Sequence, residues 1–246
     1  MISINDELEK NPKYQKYRDK WFSLPMVNEE DYARLHTGNL VPLDIVIDCD
    51  VFEQEIKSHL SDFTYWGLKR DMSRFPFRYG LGLTDITAEL PDGHGYNPTT
   101  VPLDKWSYQY PDYPLIESDF TVVNDSFKSI KSLQYYMNEF YEYHYRTCIL
   151  WWEMEQGFVP HVDTAVPAPQ IRLWGTNDPE NYIFSFWDGE KYVREENVER
   201  GRLYLCDTSI KHVATAQANN VYTFFFALHP NSYDLVKKHL ILDNDI

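Results

Sequence analysis

Cysteine and long apolar runs are both scarce in this sequence. Its 246 residues include three cysteines, Cys49, Cys148 and Cys206. Their wide spacing excludes a zinc knuckle, and their odd number argues against a disulfide framework. We therefore expect a reducing compartment and a cytoplasmic protein. The charged start, MISINDELEK, lacks the apolar segment of a signal peptide, and no apolar run has membrane-spanning length, so no membrane partner is expected.

Positively charged residues are also scarce, with 23 Lys and Arg against 38 Asp and Glu. The formal net charge is −15, and no run of Lys and Arg is long enough to form the basic patch of a nucleic-acid-binding protein. A G-x-S-x-G elbow, a phosphate-binding loop and a G-x-G-x-x-G motif are also missing, which argues against the enzyme classes that depend on them. The acidity fits solubility alone, or a small-molecule or basic-peptide partner.

Apolar and aromatic residues, by contrast, are plentiful. Hydrophobic residues make up 43% of the chain and aromatic residues 16%, with 19 Tyr and 7 Trp. This composition excludes disorder for most of the chain and favours a β-rich fold with aromatic-lined clefts. The length suits one domain with a large core, or one domain plus a smaller helical cap.

Residues 1–120 are predicted to form a mixed α/β region that belongs to the same domain as the rest of the chain. The segment DIVIDCDVFEQEIKSHLSDF predicts a short strand and then a helix with Phe52, Ile56 and Leu60 on one face. Residues 91–102, rich in Pro, Gly and Asn, predict a loop.

Residues 121–246 predict a helix followed by a barrel. The helix is capped by Asn124, Asp125 or Ser126, and its apolar stripe consists of Phe127, Ile130, Leu133, Met137 and Phe140. Short strand-like segments separated by turns follow, as in a β-sandwich or jelly-roll barrel. They are YRTCILWWEME, FVPHVDT, QIRLWGT, YIFSFWD, KYVRE, GRLYLCDT and VYTFFFALH. We expect the N-terminal region to pack on this barrel.

One group of side chains has metal-ligand spacing. His161 and Asp163 lie two residues apart, so on a strand covering residues 158–164 they would point to the same face. His212, after the segment GRLYLCDTSIK, can approach them from another strand of the barrel. Two His and one carboxylate around an ion, with the other positions open, is the facial arrangement of non-haem Fe(II) oxygenases. An isolated H-x-D is more often the polar edge of a strand.

From residue 142 to 230 the chain resembles the 2-oxoglutarate- and Fe(II)-dependent oxygenases, in particular the aspartyl/asparaginyl β-hydroxylase and prolyl-hydroxylase-like branch. The resemblance is carried, in order, by YRTCILWWEMEQGFVPHVD, QIRLWGTN, YIFSFWDGEKY and ERGRLYLCDTSIKHVA. It implies a double-stranded β-helix, a jelly-roll or cupin-like barrel, that uses Fe(II), 2-oxoglutarate and O₂. It also implies that His161, Asp163 and His212 are the iron ligands.

Arg172 matches the strand arginine that faces the co-substrate in this branch. It lies in an apolar strand, IRLWG, and a planar guanidinium can bind a carboxylate through two hydrogen bonds. The alternative is a structural ion pair with a nearby acid such as Asp207. Asp207 itself could order the turn before His212 or accept a hydrogen bond from that histidine.

The chain departs from the family after the second histidine. Most members carry an Arg on the following strand, whereas NNVYTFFFALHP, residues 219–230, contains neither Arg nor Lys. Tyr222 and Thr223 stand near the expected position and could donate hydroxyl hydrogen bonds to the co-substrate. Arg74 and Arg78, in RFPFRYG, could contact an acidic or peptide substrate. Aromatic residues are predicted to wall the pocket or fill the core: Trp174, Tyr182, Phe184 and Tyr204.

The resemblance therefore implies a hydroxylase that acts on an amino-acid residue of the Asp, Asn or Pro type in a peptide or protein, or on a free amino acid. Two alternatives remain at this point: a zinc hydrolase that uses the same ligands, and a barrel that binds a ligand or partner without catalysis. The sequence leaves the oligomeric state open.

Overall fold

The computed structural model describes residues 12, 15–65, 78–94, 98–101, 103–163 and 166–241, with the backbone alone at 104 and 105. The seven α-helices in this part of the chain are α1 (Gln15–Phe22), α2 (Glu29–Leu35), α3 (Cys49–Glu55), α4 (Leu103–Gln109), α5 (Asp125–Ser129), α6 (Gln134–Glu139) and α7 (Tyr233–Lys238). Short 3₁₀ helices cover Ile56–Asp62, Pro98–Thr100, Glu117–Asp119, Lys131–Leu133, Tyr141–Tyr143 and Pro230–Ser232. None of the described helices is both long and apolar enough to cross a membrane.

Thirteen strands in the described residues form the rest of the fold. They are β1 (Leu40–Val46), β2 (Thr64–Tyr65), β3 (Tyr79–Gly82), β4 (Thr84–Asp85), β5 (Val122–Val123), β6 (His144–Trp152), β7 (Gly157–His161), β8 (Ile171–Thr176), β9 (Tyr182–Trp187), β10 (Tyr192–Arg194), β11 (Arg202–Cys206), β12 (His212–Ala216) and β13 (Val221–Leu228). The large sheet has the order β1-β11-β8-β13-β6-β3-β2, the small sheet has the order β10-β9-β12-β7, and β4 pairs with β5.

The two larger sheets form a double-stranded β-helix, because strands from β6 to β13 alternate between them. Strands β6, β8, β11 and β13 lie in the large sheet, and β7, β9, β10 and β12 lie in the small one. All pairings within both sheets are antiparallel. The predicted jelly-roll barrel is confirmed by this topology.

The N-terminal region extends the large sheet at both edges. Strand β1 pairs with β11, and β3 pairs with β6. These pairings place strands from the first third of the chain beside the strands of the barrel. Their side chains therefore share the barrel's cores.

Two apolar cores lie on opposite faces of the large sheet. The barrel core, between the two sheets, includes Trp152, Trp174, Phe184 and Tyr204. The outer core lies between the large sheet and the helices. It includes Phe52 of α3 and the whole predicted stripe, Phe127, Ile130, Leu133, Met137 and Phe140.

Three local predictions were wrong in detail. The long helix after Asn124 is divided into α5, a 3₁₀ turn and α6, although Asn124 does cap its start by accepting the N–H of Phe127. Leu60 is exposed, because the chain after Glu55 is a 3₁₀ helix whose period of three residues rotates it off the buried face. The segment of strand β12 was not among the seven strand-like segments, although His212 was expected on a strand.

Candidate metal centre

His161, Asp163 and His212 meet at one end of the barrel. Each offers a ligand atom, and these atoms lie within 4.8 Å of one another. His161 Nε2 is 3.0 Å from Asp163 Oδ1, and His212 Nε2 is 3.8 Å from Asp163 Oδ2. Among the described residues, this is the one group of three or more His, Cys, Asp and Glu side chains close enough to bind a metal ion.

A β-bulge turns His161 toward His212. Strand β7 pairs with β12 through Phe158 opposite Ala214 and His161 opposite His212. His161 lies three residues after Phe158 on β7, whereas their partners His212 and Ala214 are only two residues apart on β12. One extra residue on one strand of a pair defines a β-bulge. Phe158 packs on the barrel core. Because side chains alternate between the two faces of a regular strand, His161, three residues later, would face outward without the bulge. The predicted strand over 158–164 ends earlier, at His161, so Asp163 lies in the loop beyond it.

Backbone carbonyls fix the orientation of both imidazoles. His161 Nδ1 lies 2.9 Å from the oxygen of Val159, and His212 Nδ1 lies 2.9 Å from the oxygen of Ile210. With Nδ1–H donating to these carbonyls, each Nε2 keeps its lone pair for a metal ion. Both histidines are therefore preset as Nε2 ligands.

The two histidines differ in pKa. Burial alone would lower the pKa of His161, but the charge and hydrogen bond of Asp163 outweigh it and raise that pKa. For His212 burial prevails over the attraction of Asp163, and its pKa is lowered. Burial would raise the pKa of Asp163, but His161, His212 and Arg172 together hold it far below the ordinary value. Asp163 is thus an anion with two imidazoles beside it.

The turn before β12 holds Asp163 in place. The N–H of Asp163 donates to the carbonyl of Thr208 at 3.1 Å. Asp207 Oδ1 orders this turn by accepting the N–H and hydroxyl of Ser209, and it also accepts the hydroxyl of Tyr32 at 2.8 Å. Asp207 therefore caps the turn, and α2 of the N-terminal region reaches it through Tyr32.

Arg172 is buried on the barrel side of β8, the face it shares with Trp174. Its Nη2 lies 3.4 Å from Glu117 Oε1, and its Cζ lies 4.0 Å from the centre of the Phe225 ring. Glu117 is already bound by Arg146 through two hydrogen bonds of 2.9 and 3.0 Å. Arg172 thus forms a structural ion pair, as the alternative interpretation expected, but its partner is Glu117 and not Asp207.

The guanidinium of Arg172 has donors to spare. Its Nε and Nη1 are buried and make no hydrogen bond with the described residues. One carboxylate, Glu117, is shared between two arginines, so it balances only one of their charges. Buried donors and buried charge both cost free energy unless a partner satisfies them. Arg172 therefore keeps two buried nitrogen donors, Nε and Nη1, that its ion pair with Glu117 does not satisfy.

The structure separates the two hydroxyl residues predicted on β13. Thr223 faces the barrel interior, where its Oγ1 accepts the Nε1–H of Trp152 at 2.9 Å. Tyr222 faces the outer core. Its ring centre lies 5.6 Å from that of Phe52 and 6.2 Å from that of Phe63. The prediction that Tyr222 contacts a co-substrate beside Thr223 is wrong, because adjacent residues of a strand face opposite sides of the sheet.

The predicted aromatic walls lie at different distances from the triad. The Phe184 ring centre is 5.6 Å from that of His212. Trp174, Tyr182 and Tyr204 belong to the barrel core, and the hydroxyl of Tyr204 donates to Asn197 O at 3.2 Å and accepts the N–H of Glu199. The structure therefore assigns Trp174 and Tyr204 to packing rather than to the triad's contacts.

Several residues near the triad were not predicted from the sequence. The rings of Phe158 and Phe186 lie 6.0 and 5.7 Å from that of His212. Arg78 was named only as a possible contact for an acidic or peptide substrate. Its guanidinium lies over the rings of Trp152 and Phe158. Arg74 lies outside the described residues. Glu117 and Arg78 come from the N-terminal region, where no motif marks them.

Comparison with known proteins finds likeness in structure alone. No family model matches the chain, and no curated protein matches it. A structure described as an oxidoreductase of the 2OG-Fe(II) oxygenase family, from Burkholderia pseudomallei, matches with a TM-score of 0.42 at 12% identity, over 82% of this chain and 90% of that one.

Two further structures are similar. A prolyl hydroxylase from Trichoplax adhaerens, in complex with a hypoxia inducible factor peptide fragment, matches with a TM-score of 0.43 at 12% identity, over 93% of this chain and 98% of that one. A cupin from Desulfovibrio desulfuricans matches with a TM-score of 0.25 at 14% identity, over 35% and 73%. Likeness at this level assigns no reaction. On its own topology and side chains, this chain is a double-stranded β-helix protein with a His-Asp-His cluster at one end of its barrel.

Proposed function

We propose that this chain is an Fe(II)- and 2-oxoglutarate-dependent hydroxylase. The observation that carries the proposal is the convergence of His161, Asp163 and His212, with both imidazoles oriented by backbone carbonyls. Two histidines and one carboxylate suit Fe(II), and three remaining positions of an octahedral ion would be open to a co-substrate and O₂.

The spacing of the donor atoms fits a metal ion. Two ligands bonded at about 2.1 Å and at right angles to each other lie about 3 Å apart. The separations from Asp163 to the two histidines are 3.0 and 3.8 Å. Small rotations of side chains are therefore enough to bring all three onto one ion.

Arg172 supports the second half of the proposal. A 2-oxoglutarate molecule carries two carboxylates, and a buried guanidinium with unsatisfied donors fits one of them. The charge of Arg172 acts on Asp163 and on His212, lowering the pKa of both, so the arginine lies on the same side of the barrel as the metal ligands. We therefore assign the binding of one 2-oxoglutarate carboxylate to Arg172.

The surroundings of each residue near the triad indicate its role in the proposed reaction. Fe(II) bound here would supply O₂ activation coupled to oxidation of 2-oxoglutarate. Phe158, Phe184 and Phe186 line the triad with apolar rings that exclude water. Thr208 and Asp207 hold the Asp163 loop in place, and Glu117 holds Arg172.

The direction of substrate approach follows from exposure. The side chain of His212 is 2% exposed, whereas those of Asp163 and His161 are 23% and 34% exposed. The centre therefore opens to solvent beside β7, and a substrate would reach it from that side. An open centre of this kind suits an amino-acid residue of a peptide or protein, of the Asp, Asn or Pro type, or a free amino acid.

A turnover measurement tests the proposal. The protein is loaded anaerobically with Fe(II), 2-oxoglutarate is added, and the visible charge-transfer band of the complex is recorded before O₂ is admitted. We expect a band, and then O₂-dependent formation of succinate that increases with a suitable peptide. Arg172→Met should weaken the band at limiting 2-oxoglutarate by about tenfold or more, since it removes a buried charge partner.

Two results would contradict the proposal. An absent band together with no succinate would leave a binding barrel without this chemistry. Hydrolysis that requires Zn²⁺ but neither O₂ nor 2-oxoglutarate would assign the same ligands to a hydrolase.

A further inference from the structure

A second cluster of reactive side chains lies outside the barrel, on the helices that cover the outer core. Ser129 Oγ is 2.9 Å from His59 Nε2, and His59 Nδ1 is 3.1 Å from Asp62 Oδ2. His59 and Asp62 belong to the 3₁₀ helix Ile56–Asp62, and Ser129 is the exposed last residue of α5. The candidate metal centre uses none of these three residues.

The period of the 3₁₀ helix explains why His59 meets Asp62. Residues three apart lie directly above one another in such a helix, so Ile56, His59 and Asp62 share one face. Ile56 is buried in the outer core, which turns this face toward the body of the protein. The side chain of His59 is accordingly only 16% exposed, whereas that of Asp62 is 50% exposed.

Glu55 holds the segment that carries His59 against the end of α5. Its Oε1 accepts the N–H of Lys131 at 3.0 Å, and its Oε2 accepts the N–H and the hydroxyl of Ser132 at 2.9 and 2.8 Å. Glu55 immediately precedes the 3₁₀ helix, and Lys131 lies two residues after Ser129. Charge-assisted hydrogen bonds therefore fix the two segments side by side before any ligand binds.

Asp62 determines which nitrogen of His59 carries the proton. A carboxylate only accepts hydrogen bonds, so the nitrogen that faces it, Nδ1, is the donor. In a neutral imidazole the lone pair of Nε2 then points at Ser129 Oγ. The hydroxyl proton of Ser129 has two acceptors, His59 Nε2 at 2.9 Å and the carbonyl of Ser126 at 2.8 Å. When it turns to His59, the three side chains have the geometry of nucleophile, general base and orienting acid.

A cation lies close to the place where negative charge would develop on an acyl oxygen. The ammonium of Lys131 donates to the carbonyl of Lys128 at 3.3 Å, and this carbonyl belongs to the peptide bond that precedes Ser129. The backbone N–H groups of Lys131 and Ser132 are occupied by Glu55, so they cannot form an oxyanion hole. With a flexible lysine as the stabilising group, the site suits acyl donors whose leaving groups depart easily.

We propose that Ser129 is a nucleophile that accepts acyl groups from activated esters and thioesters, with His59 as general base and Asp62 as the residue that positions it. Ser129 Oγ forms a bond to the acyl carbon while its proton passes to His59 Nε2. The alkoxide or thiolate departs and takes that proton. Water then attacks the acyl-serine, with His59 again as base, which releases the carboxylic acid and restores the hydroxyl. This activity needs neither a metal ion nor 2-oxoglutarate.

Covalent labelling of the full chain tests the proposal. The protein is freed of metal with EDTA, which excludes the candidate metal centre, and treated with p-nitrophenyl acetate or with a fluorophosphonate, whose adducts are mapped by mass spectrometry. The variants are Ser129→Ala, His59→Gln, Asp62→Asn and Asp62→Glu. The control is Ser58→Ala, because Ser58 lies on the same 3₁₀ helix and its hydroxyl donates to the carbonyl of Glu55.

We expect a fluorophosphonate adduct on Ser129, and release of p-nitrophenol above the uncatalysed rate. Ser129→Ala should abolish both. His59→Gln should slow both reactions about 100-fold, the contribution of a general base. Asp62→Asn should slow them roughly tenfold, because an amide no longer enforces Nδ1–H, although the pair is partly exposed. Asp62→Glu should restore most of the rate, and Ser58→Ala should react as the wild type does.

A wild type that carries no adduct on Ser129 would overturn the proposal. Labelling of Ser129 at an unchanged rate in a folded His59→Gln variant would overturn it too, because Ser129 would then be an ordinary exposed serine. If His59→Gln does not fold, the Asp62 variants decide. Equal rates in the wild type, Asp62→Asn and Asp62→Glu would show that the contact between His59 and Asp62 has no part in the reaction.

Discussion

Two histidines, the half-buried His161 and the buried His144, show how neighbours decide protonation in this protein. His161 lies 3.0 Å from Asp163, and the attraction raises its pKa despite burial. His144 has no acid beside it, and burial lowers its pKa to about 4. Its Nε2 donates to Met137 O at 3.1 Å, while its Nδ1 is buried without a partner. A proton on that Nδ1 would bury an unsatisfied donor and a charge together.

His144 should therefore make the fold sensitive to acid. Its pKa is about 4 when folded and about 6.5 when unfolded. Between these values the unfolded chain binds a proton that the folded chain does not, so stability is complete above the upper value and falls as pH drops through the window. The loss attributable to this residue is on the order of 3 kcal/mol.

Urea unfolding at several pH values checks this expectation. His144→Gln keeps a donor for Met137 O but cannot titrate. Its free energy of unfolding should fall less between pH 7 and pH 4.5 than that of the wild type, by about 2 to 3 kcal/mol. Parallel pH profiles for the two proteins would show that His144 is not the titrating group.

The residues of the site were predictable in part. His161 and Asp163 were chosen from their spacing and His212 from its place after a predicted strand, and the three do converge in the fold. Their neighbours could not be found in that way. Glu117 contacts Arg172, which lies 55 residues later in the sequence, and Arg78, just before β3, contacts Phe158. Neither contact follows from the spacing of residues within one helix or strand. Contacts of this kind depend on which strands become neighbours.

Among the secondary-structure elements, the pairing of β7 with β12 controls the site. Gly157 lies opposite Thr215, and a Cβ added at Gly157 would come within 2.5 Å of Ala214 O. Such an approach forces the two strands apart. Because each strand carries one histidine, the distance between the metal ligands depends on this close packing.

Gly157→Ala should therefore weaken metal binding without touching a ligand. We expect the dissociation constant for Mn(II) to rise about tenfold, with a loss of stability of about 1 to 3 kcal/mol from overpacking. Gly38→Ala is the matched control, because no atom lies within 4 Å of a Cβ added there. Mn(II) affinity equal to the wild type in a folded Gly157→Ala variant would show that the strands adjust elsewhere.

The elements also show where sequence patterns stop being informative. The pattern of apolar residues predicted β6, β8, β9 and β13. The side chains of these strands point alternately to the two faces of their sheet. It did not predict the bulge in β7, because a bulge is defined by the partner strand. It missed β12, whose residues HVATA are small or polar and lack a strong apolar pattern. Both features act directly on His161 and His212.

Over the whole molecule, the excess of negative charge lies outside the core, because the buried charged groups of the described residues are two arginines and two acids. The formal net charge is −15, yet Arg146 and Arg172 are buried around Glu117, and Arg78 lies over the rings of Trp152 and Phe158. The lack of a basic run in the sequence argued against a nucleic-acid partner, but it did not reveal these arginines. The structure shows that the distribution of charge differs between surface and barrel, and only the fold determines that distribution.

The central claim is that this barrel binds one metal ion and one dicarboxylate at the same end. A crystal structure with Mn(II) and 2-oxoglutarate, recorded with the anomalous signal of manganese, tests it most directly. We predict one anomalous peak bonded to His161 Nε2, Asp163 and His212 Nε2, with 2-oxoglutarate beside it and one of its carboxylates directed to Arg172. A peak with other ligands, or a bound metal with no dicarboxylate in the barrel at saturating concentration, would contradict the account.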